Sequence, residues 1–156
     1  MSKATVFASL VMMVIGGIFP AHAEEPGAVV VGLYAKHPWT ELPPGGHGFW
    51  YMDIAAAWER GAAADGKAFL IGKITQIADV KTEVIISSGD EARVRATISS
   101  KDGAIQVLNF GMVGDDDEDD RWRIIEVFSD GGNYLSEILT DKWRRSVTKK
   151  PAQGGL

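Results

Sequence analysis

The apolar residues of this chain change period once, just after Gly66, and that change restricts the fold more than any other feature. Ahead of it they recur at helical spacing. Val30, Leu33, Tyr34 and His37 share one helical face, and Trp50, Ile54, Ala57, Trp58 and Gly61 share another. Behind it they alternate, most plainly where Val94, Ala96 and Ile98 interleave with Arg93, Arg95, Thr97 and Ser99. Helices therefore come first and strands second, and the expected class is α+β, with helices packed on one face of an antiparallel sheet.

The first helix is predicted over residues 28–35 and ended by His37-Pro38, because proline restricts the residue before it. Pro43, Pro44, Gly45 and Gly46 make the next stretch a loop. A second helix, the longest, is predicted over residues 47–64 from its alanines, with Asp65-Gly66 as its stop. Strands are predicted over residues 80–87, 92–100, 105–113 and 122–128, four or five in all. Ser88-Gly89-Asp90 and Lys101-Asp102-Gly103 supply the turns of a meander. The alternation slips by one among Ile105, Val107, Leu108, Phe110 and Met112, which predicts a bulge in that strand and a curved sheet. Leu135, Ile138, Leu139 and Trp143 lie on one face of a short last helix, with Asn133 as its expected cap and Lys142, Arg144 and Arg145 suited to its C-terminal dipole.

Residues 1–23 differ in kind from the rest. One basic residue, Lys3, precedes an apolar run over residues 4–19, then Pro20 and the small-residue site Ala21-His22-Ala23. This pattern predicts a secretory leader cleaved after Ala23, and the run is shorter than the roughly 20 residues a membrane span requires. Export should be through the general secretory route to the periplasm, since there is no twin arginine. The expected organisation is leader 1–23, one domain over 24–144, and a disordered basic tail over 145–156. No later stretch has the length of a transmembrane segment.

Composition narrows the chemistry. The chain has no cysteine, which excludes disulfides, thiolate metal sites, a cysteine nucleophile and a lipoprotein anchor. The net charge is −5, one unit more negative without Lys3, and the basic residues form no stripe with aromatics. Nucleic-acid binding is not expected.

The Leu33-Tyr34-Ala35 helix, the long second helix, the meander, the strand Arg121-Trp122-Arg123-Ile124-Ile125-Glu126 and the run Gly132-Asn133-Tyr134-Leu135-Ser136-Glu137-Ile138-Leu139 follow one another in a recognisable order. In that order the chain resembles the nuclear transport factor two-like (cystatin-like cone) superfamily, and more narrowly its exported bacterial branch of unknown function. The resemblance spans residues 28–140. Ahead of the sheet the chain keeps that branch's Phe69, Gln76 and Asp79 but lacks its proline. The resemblance implies a cone in which N-terminal helices wrap a curved sheet around an apolar pocket. It does not select an activity, because the superfamily includes isomerases, dehydratases, ligand binders and secretion-system components.

Within such a pocket Tyr34, Asp53 and His37 are the catalytic candidates, with Tyr34 donating to a carbonyl oxygen and a carboxylate or imidazole moving a proton. Tyr34, Trp50, Ile54 and Trp58 are the ligand-binding candidates, as apolar area at the second helix. Asp115, Asp117, Asp119 and Glu126 fall at positions one, three, five and twelve of a calcium loop, but Asp120 stands where that loop needs glycine, and a solvated hairpin tip is the simpler account. His37 and His47 have no metal spacing. No cofactor is expected.

The chain lacks a nucleophile motif, a phosphate loop and a metal-ligand cluster, so the reading is a non-catalytic binding module for a small apolar molecule or a protein partner, with a homodimer left open. The alternatives are a lyase or isomerase using Tyr34 and Asp53, and a secretion-system component or immunity-type inhibitor. A hollow interior would favour a small ligand, and a filled one beside an exposed aromatic patch a protein.

Overall fold

The computed structural model describes residues 24–115 and 121–140. The leader, Asp117 and Asp119 of the acidic loop, Trp143 and the basic tail lie outside the described residues.

Helix α1 spans Pro26–Ala35. Pro26 supplies the φ of a first helical turn, where its missing N–H costs nothing. The helix buries Val29, Val30, Leu33 and Tyr34 against the first two strands. Gly27 sets how closely it approaches, because a Cβ there would lie 2.7 Å from the Thr82 hydroxyl.

The long second helix is corrected. Residues 47–49 form a 3₁₀ turn, His47–Phe49, followed by two short helices, α2 over Met52–Arg60 and α3 over Ala63–Ile71. The break falls at Gly61, whose extended backbone lies against the Leu139 carbonyl, where a Cβ would collide. Asp65 and Gly66 do not stop a helix; they lie inside α3, and Gly66 leaves room for the Trp58 ring. Alanine-rich propensity is a sum of small local terms, and one tertiary contact outweighs it here.

Among the described residues four strands follow, β1 (Ile77–Ser88), β2 (Glu91–Ser100), β3 (Ile105–Asp115) and β4 (Arg121–Phe128), paired antiparallel in the order β1-β2-β3-β4. Gly89 and Gly103 take positive φ in the two tight turns. Val94, Ala96, Ile98, Leu108, Phe110, Met112, Trp122, Ile124 and Val127 form the buried face and join the helices in one core. Residue parity within β2 matches the sequence pattern throughout.

The bulge expected in β3 is absent. The β2–β3 register runs unbroken, and Ile105 and Val107 simply point to the opposite face from Leu108. Register shifts occur instead on the edge strands, beside Ala78 and Ile85 on β1 and beside Ile125 on β4. Extra residues at sheet edges twist or end the pairing there.

The β4 edge is covered: the Tyr51 amide donates to the Ile124 carbonyl at 2.9 Å, and Phe128 bridges to Tyr134. Residues 135–140 are helical and bury Leu135 and Leu139. Asn133 does not cap this helix, since its amide side chain bonds to the Ser129 hydroxyl. Glu126 does so instead, accepting from the Ser136 amide and hydroxyl. No helix among the described residues is long and apolar enough to cross a membrane.

Candidate functional site

The space between helices and sheet holds side chains whose polar atoms are already engaged. Tyr34, 2% exposed, donates its hydroxyl to the Leu70 carbonyl at 2.8 Å. Burial pushes its phenol far above the usual range, which keeps it protonated and a donor. Trp39 donates to the Leu33 carbonyl at 2.8 Å and Trp50 to the Pro44 carbonyl at 2.7 Å. Trp50 and Trp58 meet edge to face with centroids 5.4 Å apart, and Ile54 is buried beside them in the same core. Two buried side-chain atoms, the Trp58 Nε1 and the Ser100 Oγ, have no hydrogen-bond partner among the described residues.

The sequence candidates therefore divide. Tyr34, Trp50, Ile54 and Trp58 are brought together, as core. His37 is half-buried at the end of α1, edge-on to Trp39 at 5.0 Å, and burial lowers its pKa. Trp39 also touches Tyr34, at 5.6 Å. Asp53 is exposed in the first turn of α2, where a carboxylate suits the helix dipole. Glu126 is engaged with Ser136. Among the described residues no three His, Asp or Glu side chains are grouped as a metal site.

The outer face of the sheet is different. Residues of β2, β3 and β4 that point away from the core include Arg93, Arg95, Asn109, Gly111, Arg123 and Phe128. At the β1–β2 hairpin end they enclose a groove of 260 Å³, floored by Gly111 and walled by Ile86, Arg93, Ile125 and Phe128, with Ser88 and Glu91 at its rim. Gly111 makes the groove, because any side chain there would occupy it. Ile86 is 52% exposed. The Arg93 guanidinium lies over the Phe128 ring at 5.2 Å, and Phe128 stacks on Tyr134 at 5.7 Å.

One wall is held rigidly. Arg95 donates to both carboxylate oxygens of Asp130, at 3.0 and 2.6 Å, and Asn109 donates to the same group at 2.9 Å. Hydrogen bonds from Arg95 and then Asn109 hold the Asp130 carboxyl below its ordinary pKa. This fixes the turn that carries Tyr134 under Phe128. Arg93 has no such carboxylate partner among the described residues, so its charge is available to a visitor. The groove thus joins apolar walls to the Arg93 guanidinium, which lies over the Phe128 ring and has no carboxylate partner among the described residues. It suits an apolar side chain next to a carboxylate.

A second groove of 460 Å³ lies between α1 and the 3₁₀ turn. Gly32, Gly45 and Gly48 leave its space, Phe49 and Trp122 give apolar surface, and Lys36 and Arg121 line it. Lys36 sits 5.7 Å from the Phe49 centroid.

No family model and no curated protein matches this chain.

The outer groove is not legible in the sequence: Ile105 and Val107, apolar residues in the outward phase of β3, lie toward the other end of that strand and do not line it. Joining Arg93, Gly111 and Phe128 needs the register of three strands.

Proposed function

We propose that this chain is an exported, non-catalytic binding module whose outer sheet face receives a protein partner. The observation that carries the reading is the contrast between the two faces. On the inner face the buried Tyr34 and Trp50 side chains are committed to backbone carbonyls. The Gly111 groove instead offers apolar walls beside Arg93, which has no carboxylate partner among the described residues. Its volume suits one large apolar side chain of a partner, and Arg93 selects an acidic neighbour to that side chain. The leader pattern supports delivery to the periplasm. The resemblance to the cone-shaped superfamily supports helices that wrap a curved sheet, and that superfamily includes non-catalytic binders.

The test uses a photo-crosslinking residue at Ile86 in the full chain, expressed in its own host. A protein adduct that forms at Ile86 and disappears on Gly111→Leu supports the reading. The Leu side chain fills the groove from an exposed face and should leave folding intact. An adduct insensitive to Gly111→Leu, or a small molecule retained in native mass spectrometry with no adduct, overturns it. Amino-terminal sequencing of the secreted-compartment protein should begin at Glu24, and an intact Met1 would remove the export part.

A further inference from the structure

The β1 edge is left open among the described residues. Among the described residues no backbone group of Ile77–Ser88 bonds outside the β1–β2 ladder, whereas the opposite edge at β4 is covered by Tyr51 and Tyr134. Exposed edges are templates for another strand, and chains usually blunt them with charge or bulges. Here the bulges beside Ala78 and Ile85 bracket a regular stretch, residues 79–84, and do not interrupt it. Val84, the apolar residue at one end of that stretch, is 41% exposed.

The charges inside the stretch are self-complementary. Around a two-fold axis at Thr82, an antiparallel second strand places Lys81 opposite the partner's Glu83 and Glu83 opposite the partner's Lys81. It also sets Thr82 opposite itself and Val80 opposite the partner's Val84. All of these are favourable cross-strand pairs. Lys81 and Glu83 project from the outer face, as their β2 neighbours Thr97 and Arg95 do. Neither is locked away. The Lys81 ammonium is 4.0 Å from Asp79, with most of its side chain in solvent. The Arg95 nearest Glu83 is tied to Asp130.

We infer that two copies of this chain pair through β1 about Thr82, joining their sheets into one. The arrangement is closed: among the described residues each protomer has one open edge, pairing consumes it, and the covered β4 edges prevent growth into a filament. The flanking bulges limit the pairing to the complementary stretch. This inference does not rest on the Gly111 groove, which lies beyond the Ile85 bulge.

Sedimentation equilibrium of the chain from Glu24 onward is the test, with thermal unfolding to verify folding of each variant. Wild type should sediment as a dimer. Lys81→Glu and Glu83→Lys each set like charges opposite one another twice, and each should weaken dimerisation by roughly tenfold or more. The double variant Lys81→Glu, Glu83→Lys restores opposite charges and should restore the dimer. A wild-type monomer at millimolar concentration overturns the inference, and so does a dimer that the folded single variants leave unchanged. Gly111→Leu should leave the dimer intact, so loss of the groove partner and loss of the dimer are read separately.

Discussion

The carboxylate of Glu126 on β4 accepts both the amide and the hydroxyl of Ser136, at the start of the last helix. One strand residue thereby satisfies a helix end that its own flanking sequence leaves open, since the Asn133 side chain is turned to Ser129. The same carboxylate also accepts from the Val127 amide at 3.0 Å. Glu126→Ala is expected to cost about 0.5–2 kcal/mol, the usual range for a lost cap. Urea unfolding would measure it, and Glu126→Gln should recover part of the loss.

Gly66 offers a test in which two principles predict opposite signs. Within a helix, Gly→Ala ordinarily stabilises by about 0.5–1 kcal/mol. At Gly66 a Cβ would lie 2.6 Å from the Trp58 ring and 2.8 Å from a Leu139 methyl. Gly66→Ala should therefore destabilise, by about 1–3 kcal/mol as overpacking does. A rise in midpoint in chemical denaturation would show that the ring moves aside at no cost.

Tyr34 and Leu70 are joined by a buried hydrogen bond, and Tyr34→Phe leaves the Leu70 carbonyl without its donor. The expected loss is about 1–3 kcal/mol. Native-state hydrogen exchange should locate it to α1 and the end of α3. An unchanged stability would mean that water replaces the hydroxyl, and with it that the interior is open.

The Arg95–Asp130 pair predicts an acid-limb effect. Asp130 is held below the value it has in the unfolded chain, so the contribution is complete above the ordinary aspartate range near 3.9. It is lost as pH falls through the folded value. Asp130→Asn should flatten the fall of Tm between about pH 4 and 2 relative to wild type and leave its slope near neutrality unchanged. Added salt should reduce the difference, because the pair is exposed.

The meander was legible because its signals are local. Turn residues at Gly89 and Gly103 and the alternation of β2 specify adjacent antiparallel strands with little outside help. The break at Gly61 was not, because nothing nearby opposes the alanines; the carbonyl that forbids a Cβ belongs to Leu139, in an element read much later. Glu126 as a cap was hidden for the same reason. The core membership of Tyr34, Trp50 and Trp58 followed from helical spacing, but spacing cannot say whether a buried face is filled or hollow. Nor does it reach their hydrogen-bond partners, the Leu70 and Pro44 carbonyls, which lie outside the segments that carry the donors.

The contact of Leu139 with Gly61 and Gly66 bears on the order in which the molecule is completed. A polypeptide emerging amino end first exposes Trp58 and both glycines while their cover is still unmade. The indole stays wet until nearly the whole chain has appeared, so an intermediate cut short before Leu139 should be loose, sticky and easily digested.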